Sequence, residues 1–398
     1  MTRSRARLLR PPTLRTEDTG RSSSWLELFF DLVFVIAITQ LGVALAADLS
    51  LRGYGRFLLL FVPIWWSWVG YTNYADRFDS DDIAFRGLVL AAMLAIAVVA
   101  VAIPETFRHR SMVFAGGYVA VRVLLVVLYA RARAHVSAAR PLCDVTLTVF
   151  LIGVGLWLAS LALTEPLRFA LWGMALVLEG ATPWVARRAM TSVPYHASHL
   201  PERYGLWTLI VLGESLVAVA VGLGHARWGA LPIAAGALGF LTAASLWWLY
   251  FDSIERIAIR RSLLARNAFI YGHLLIALGL AISGVGVKTA ILHADAGNLD
   301  AAQRWALCGG PALFLLAHAL VLEAATDKTS REAVAIRLIA CALIVTACLV
   351  ATPVGAAGLL ALVAAVLAAT TVAEIARSGT ARRVCAQADN TMEPRMGC

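Results

Sequence analysis

The acidic residues that fall inside apolar stretches carry most of the chemistry legible in this sequence. Glu27 and Asp31 stand four residues apart, which puts both carboxylates on one face of a helix. Two like charges that close resist joint ionisation. They would share a proton, recruit a cation, or pair with an arginine from the N-terminal tail or a loop. Glu214 lies between Leu212-Gly213 and Ser215-Leu216. Gly213 would let a second helix approach closely, and Ser215 offers a hydroxyl. Two readings of Glu214 stay open: a buried ion pair with Arg122, or an ion or substrate site. Glu202 and Arg203 precede it in the same run, with His199 three residues before Glu202.

Other polar residues carry weaker signals. Asp144 and Glu179 read as interfacial intrusions, and His273 and His318 as residues hydrogen-bonded between helices. His196-x-x-His199 follows Pro194 without a nearby third ligand, so a solvated loop is the better reading than a metal pair. Asp79, Asp81 and Asp82 are the nearest approach to a magnesium motif, and they also read as a solvated loop. The six Cys include no Cys-x-x-Cys pair and read as small buried hydrophobes. No metal or cofactor is expected. Trp65, Trp66, Trp68, Trp247 and Trp248 lie toward the ends of apolar runs, where a belt at the membrane surface is expected.

The elements that position these groups follow from composition. Of 398 residues, 60% are hydrophobic and 15% charged. A soluble domain carries roughly a quarter charged residues. Twelve apolar runs emerge, over 25–47, 55–73, 85–103, 112–130, 142–163, 167–186, 203–223, 229–251, 266–287, 304–323, 332–351 and 354–376. Each is long enough to cross a hydrocarbon layer of roughly 30 Å as a helix. The runs are apolar all round, which excludes a β-barrel. The expected fold is therefore all-α, a polytopic transmembrane bundle of about twelve helices in the lipid bilayer. In that setting an ionisable side chain costs at least roughly 2.5–3.5 kcal/mol, so the acids above should face inward.

The net charge of +9 is spread thinly between apolar runs, which argues against nucleic acid. Its use is topological. Of 34 Lys and Arg, 25 fall on the side carrying both termini, 8 on the other, and Arg122 inside a span. Both termini should be cytoplasmic. The first apolar run is full-length, so no cleaved leader is expected. An internal duplication is also expected. Asp31 and Glu214 are separated by 183 residues, and the pairs Trp65-Trp66 and Trp247-Trp248 by 182. The chain then divides into an Arg-rich tail (1–24), two six-helix repeats inserted in the same direction (25–190 and 191–377), and a second tail (378–398).

The block Glu27-Leu28-Phe29-Phe30-Asp31-Leu32-Val33-Phe34-Val35-Ile36-Ala37-Ile38-Thr39-Gln40-Leu41 resembles the opening signature of the bacterial low temperature requirement protein A family. The block from His199 to Ser215 resembles that family's other hallmark. The resemblance spans roughly residues 20 to 375 and implies a polytopic protein of the bacterial inner membrane. Phe30-Asp31 followed by Phe34-x-Ile36-Ala37-Ile38-Thr39 is similar to the first helix of the endolysosomal and bacterial potassium channels built from six-helix repeats. That similarity implies a constriction at Ile36 below Asp31, and at Val219 below Glu214 in the second repeat. This sequence has Phe30 where those channels have Ser. Glu27, Asp31, Glu202, Glu214, Ser215 and Arg122 are thus the candidate ion- or solute-binding residues. The functional expectation is permeation of a small ion or solute by a non-enzymatic protein. A membrane-embedded enzyme acting on lipid and a structural or sensory protein are the alternatives.

Overall fold

The structure, a computed structural model, describes residues 10–15, 24–190, 193, 199–254, 262–295, 297–325 and 331–391. Among these residues twelve long helices follow one another: α1 (Trp25–Ala47), α2 (Leu51–Arg77), α3 (Ile83–Ala102), α4 (Ser111–His135), α5 (Arg140–Leu161), α6 (Leu167–Gly180), α7 (His199–His225), α8 (Ala230–Ile254), α9 (Leu263–Leu292), α10 (Ala301–Ala325), α11 (Arg331–Val350) and α12 (Ala356–Thr391). Each expected span has one long helix of its own, and the fold is an all-α polytopic bundle. Nine segments are long and apolar enough to cross a membrane, one of which, Ile83–His135, covers α3 and α4 together. The other two helices, α2 and α6, are a composition effect and a length effect. α2 carries three Trp and three Tyr, and α6 has 14 residues.

The expected sixth span, 167–186, is cut short. α6 ends at Gly180, and the chain continues as two single turns, Thr182–Val185 and Arg187–Met190. Gly180 weakens the helix, and the ring and missing N–H of Pro183 prevent its continuation. The N-terminal tail is also more than a charged extension. β1 (Thr13–Leu14) pairs antiparallel with β2 (Phe78–Asp79) in the α2–α3 connection. Arg131 of α4 forks onto Asp82 at 2.9 and 2.5 Å and also donates to the carbonyl of Arg10. Asp82 caps α3 through the amide of Phe85. The solvated-loop reading therefore fails for Asp82, which is buried.

In the first half α1 packs on α2 and α3, α3 on α4, α4 on α5, α5 on α6, and α2 on α4 and α6. In the second half α7 packs on α8 and α9, α9 on α10, α10 on α11, α11 on α12, and α8 on α12. The halves meet where α1 and α2 contact α7 and α9. The tightest helix pair is α9 with α10. A Cβ on Gly286 would fall inside the backbone of Ala306 and Leu307, and one on Gly310 inside that of Ser283 and Gly279. Small residues permit such backbone approach in membrane bundles, where dispersion rather than the hydrophobic effect drives helix association.

The aromatic-belt reading fails for three of the tryptophans. Trp247 and Trp248 are nearly half exposed, but Trp65, Trp66 and Trp68 are buried between helices. Lipid and protein interior are equally apolar, so position along the run does not separate the two fates.

Two predictions follow from this packing. Gly286→Val should destabilise the bundle by about 3 kcal/mol, read as a fall of roughly 5–10 °C in the temperature that halves the monodisperse peak in detergent. The second concerns Asp82. Burial pushes its carboxyl up, but the Arg131 fork and the Phe85 amide outweigh this and hold it below the usual carboxylate range. Its contribution is present above the unfolded value of about 3.9 and is lost as pH falls. Between pH 5 and pH 3 the native chain should lose thermal stability more steeply than Asp82→Asn. Equal slopes would remove Asp82 from that account.

Candidate functional site

The site lies where α1 meets α7. Ser24 and Glu27 form a reciprocal capping box, the Ser24 amide donating to Glu27 Oε2 at 2.7 Å. This fixes the start of α1. Its buried positions Glu27, Phe30, Asp31, Phe34, Ile38, Leu41 and Leu45 then recur every three or four residues and form one inward face. Asp31 receives both terminal nitrogens of Arg203, Nη1 to Oδ2 at 2.7 Å and Nη2 to Oδ1 at 2.6 Å. Trp68 Nε1 of α2 donates to Oδ1 at 2.8 Å. Asp31 and Arg203 are 2% and 1% exposed, so this is a fork-on-fork pair removed from solvent.

One turn deeper, Phe34 meets Trp207 edge-on at 5.5 Å. Trp65, Trp68 and Tyr204 pack around them. Beyond this aromatic layer Thr39 Oγ1 donates to Glu214 Oε2. Glu214 is half-buried, and Gly42 lies opposite its other oxygen. Ser215 is buried beside it and donates to the Leu280 carbonyl at 3.4 Å. Among the described residues no Arg, Lys or His lies within ion-pair distance of Glu214, although the charge of Lys288 on α9 reaches it. The Arg203–Asp31 and Glu214–Thr39 contacts join residues 172 and 175 positions apart. A near-constant offset between partners means that α1 and α7 run parallel.

Both halves of this site fall in the two sequence blocks singled out above. The first supplies Asp31, Phe34 and Thr39, and the second supplies Arg203, Trp207 and Glu214. The profile of the bacterial low temperature requirement A proteins (LtrA) matches residues 22–369. The chain belongs to the LtrA family. It is also 32% identical over 322 residues to an uncharacterized protein of Rhizobium meliloti (strain 1021), covering 76% of this chain and 78% of that one. No solved structure matches it.

In this LtrA chain several expected placements change. Asp31 and Glu214 do not stand at one level. The contact offset of 172–175, not 183, sets Glu214 level with Thr39, eight residues and about 12 Å deeper than Asp31. Arg122 does not pair with Glu214. It donates Nη2 to Glu179 at 2.5 Å, with Tyr118 donating to the same oxygen at 2.6 Å and the Phe150 ring 4.3 Å away. Arg122 and Glu179 are fully buried, so Glu179 is not interfacial. Ile36 is 48% exposed, while Val219 is half-buried beside Gly239. A residue five positions on is turned by about 140° around a helix, so Ile36 does not follow Asp31 inward, whereas Val219 packs against the core near Gly239 of α8. Gly213 meets no neighbour; Gly284 of α9 makes the close approach, against Ser215. Glu202 is on the exposed side of the first turn of α7. His196 lies outside the described residues.

The histidine reading holds: His273 Nε2 lies 2.9 Å from the Tyr250 hydroxyl, and His318 Nε2 lies 3.1 Å from that of Ser253. Sequence reasoning missed Thr39, Trp68 and a second enclosed pair, Arg337 forked onto Glu374 at 2.8 Å. Thr39 lies two turns along α1 from Asp31, but Trp68 is 37 residues from the acid it serves and carries no local signal. Among the described residues no group of three His, Cys, Asp or Glu could hold a metal.

The Arg122–Glu179 pair gives a test of burial. Arg122→Met leaves Glu179 without its cation and should cost about 3–5 kcal/mol in thermal unfolding in detergent, whereas Arg122→Met with Glu179→Leu should recover most of it. A double variant as unstable as the single would show that the charge is not the cause.

Proposed function

We propose that this LtrA protein is a secondary transporter of the bacterial inner membrane. A small cation or solute moves along the α1–α7 interface, and the protein catalyses no reaction. The observation that carries this reading is Glu214. Asp31, Glu179 and Glu374 are each neutralised by an arginine, but among the described residues Glu214 has only the Thr39 hydroxyl at bonding distance. A carboxylate inside a span is normally functional when no counter-charge holds it, because its burial otherwise brings only cost. Such a group can take up a proton or a cation and release it.

Two further features support the reading. The polar stations at Asp31–Arg203 and Thr39–Glu214 are separated by the Phe34–Trp207 layer, the arrangement expected of a path closed between its two ends. The two halves also share a pattern of helix neighbours, α1 to α6 packing among themselves much as α7 to α12 do. This fits duplication of a six-helix unit, with the excess of arginine placing both termini in the cytoplasm. The ancestral-repeat offset in α1 and α7 is then near 174 and lengthens to about 190 by α4 and α10. Against the enzyme alternative weighs that Asp79, Asp81 and Asp82, the nearest approach to a magnesium motif, each face an arginine.

The test is flux into liposomes carrying the purified chain, under imposed proton, sodium or potassium gradients. The native chain should support flux above protein-free liposomes, and Glu214→Gln should lower it about tenfold or more. Flux absent in the native chain, or equal in both, overturns the reading.

A further inference from the structure

Among the described residues Lys288 of α9 is the only lysine, and it lies inside a membrane span. Two glycines fix the register of α7 against α9. A Cβ on Gly284 would lie 3.2 Å from the Ser215 Cα, and one on Gly222 would lie 3.3 Å from the Ile291 Cβ. Both contacts join residues 69 positions apart, so α7 and α9 run parallel. Gly284, Lys288 and Ile291 are spaced four and three apart and therefore share the α9 face that meets α7. By the same offset Lys288 is five residues, about 7 Å, deeper than Glu214. Helical side chains lean toward the helix N-terminus, which turns the long Lys288 chain back toward the level of Glu214. Lys288 is half-buried, and among the described residues no hydrogen bond or ion pair holds it. Its charge reaches Glu214 from beyond ion-pair distance.

Glu214 is the matching half. Thr39 donates to Oε2, and Oε1 faces Gly42, which places no side chain before it. One carboxylate and one ammonium, neither touching an opposite charge, thus stand on facing helices. Each is costly inside a span, and contact between them would relieve both. Glu214 touching Lys288 is neutral, and so is Glu214 holding one monovalent cation. We propose that Lys288 is a tethered competitor for the site: it closes on Glu214 when no ion is bound and yields the carboxylate to a monovalent cation, a proton included. The structure shows the withdrawn arrangement, in which Oε1 is open to an ion.

The class of occupant follows from charge. Glu214 supplies one negative charge, so a divalent ion would leave a positive charge uncompensated, and an anion would meet the carboxylate. Competition from Lys288 also lowers the apparent affinity by the fraction of time the site is free, which lets a bound ion leave. This deepens the transport reading and rests on it for the ion. The Lys288–Glu214 contact does not rest on it.

The experiment has two arms. The first reads the contact. The purified chain in detergent is treated with a membrane-permeant carbodiimide, which joins a carboxylate to an amine only where the two touch, then digested and read by mass spectrometry. The chain has two lysines, Lys288 and Lys328, so the products are few. The native chain should give a Glu214–Lys288 amide. No such amide, with or without a reagent adduct on Glu214, overturns the contact. The second arm reads the competition as flux into liposomes, using whichever of proton, sodium or potassium the native chain carries. Lys288→Met should lower the half-saturating cation concentration about tenfold, since the site no longer holds its own competitor. It should also lower maximal flux, since release then leaves a bare carboxylate in an apolar bundle. Lys288→Arg keeps the charge and should bring half-saturation most of the way back to native. A lysine that only held the bundle together would lower maximal flux without lowering half-saturation, so half-saturation unchanged or raised in Lys288→Met overturns the competition. Native flux absent altogether overturns the transport reading, and the first arm still decides the contact.

Discussion

Removing Asp31 and Arg203 from water costs free energy that their mutual contact, with help from Trp68, returns, and the geometry of α1 against α7 is set by that contact. Two nitrogens on two oxygens fix distance and rotation together, and Trp68 adds a third donor from α2. Either partner alone would be a bare charge in an apolar bundle. A well-packed apolar pair would hold the helices together as well or better, so stability is a weak reason for this ion pair to be there. What an apolar pair would not supply is register. With Arg203 on Asp31, Trp207 arrives at Phe34 and Glu214 at Thr39, each one to three turns deeper along parallel helices. The whole polar and aromatic content of the interface is thereby placed by one contact.

The same physical problem is solved twice more. Arg122 of α4 neutralises Glu179 near the end of α6, and Arg337 of α11 neutralises Glu374 of α12. Each pair ties the last helix of a half to a neighbour from the same half. The Asp31–Arg203 pair instead joins the halves. If the halves move relative to one another, this ion pair is strained, while the other two lie within their own halves.

Much of the architecture was legible because lipid imposes it. Twelve runs of sufficient length became twelve helices. Sidedness was not legible. Leu, Ile and Val suit the acyl chains and the protein core equally, so only its turn of about 140° from Asp31 marks Ile36 as outward-facing, and nothing marks Trp65 as buried and Trp247 as half exposed. Pairing was legible only within a helix. Glu27 and Asp31 could be placed on one face, but the partner of Arg122 is 57 residues away and that of Asp31 is 172. Which arginine reaches which acid depends on helix order, which hydropathy does not encode. The acids of the site were found, and their partners Thr39 and Trp68 were not, since a hydroxyl or an indole in an apolar run reads as filler.

Glu214 and Asp31 differ in one respect that decides how a path between them would behave. Asp31 is held by a full positive charge and Glu214 by a hydroxyl dipole, so a proton arriving at Asp31 displaces a charge contact and one arriving at Glu214 only a hydrogen bond. The aromatic layer between them offers no polar step, and Phe34 and Trp207 must part for anything to pass. Parting those rings separates α1 from α7, which lengthens the Arg203 fork on Asp31 in the same movement. A proton on Asp31 removes the charge that fork holds and lowers the resistance to that separation. On the permeation reading, occupancy of the first station and opening of the barrier beyond it are therefore one event, coupled through a single arginine and requiring no separate signal.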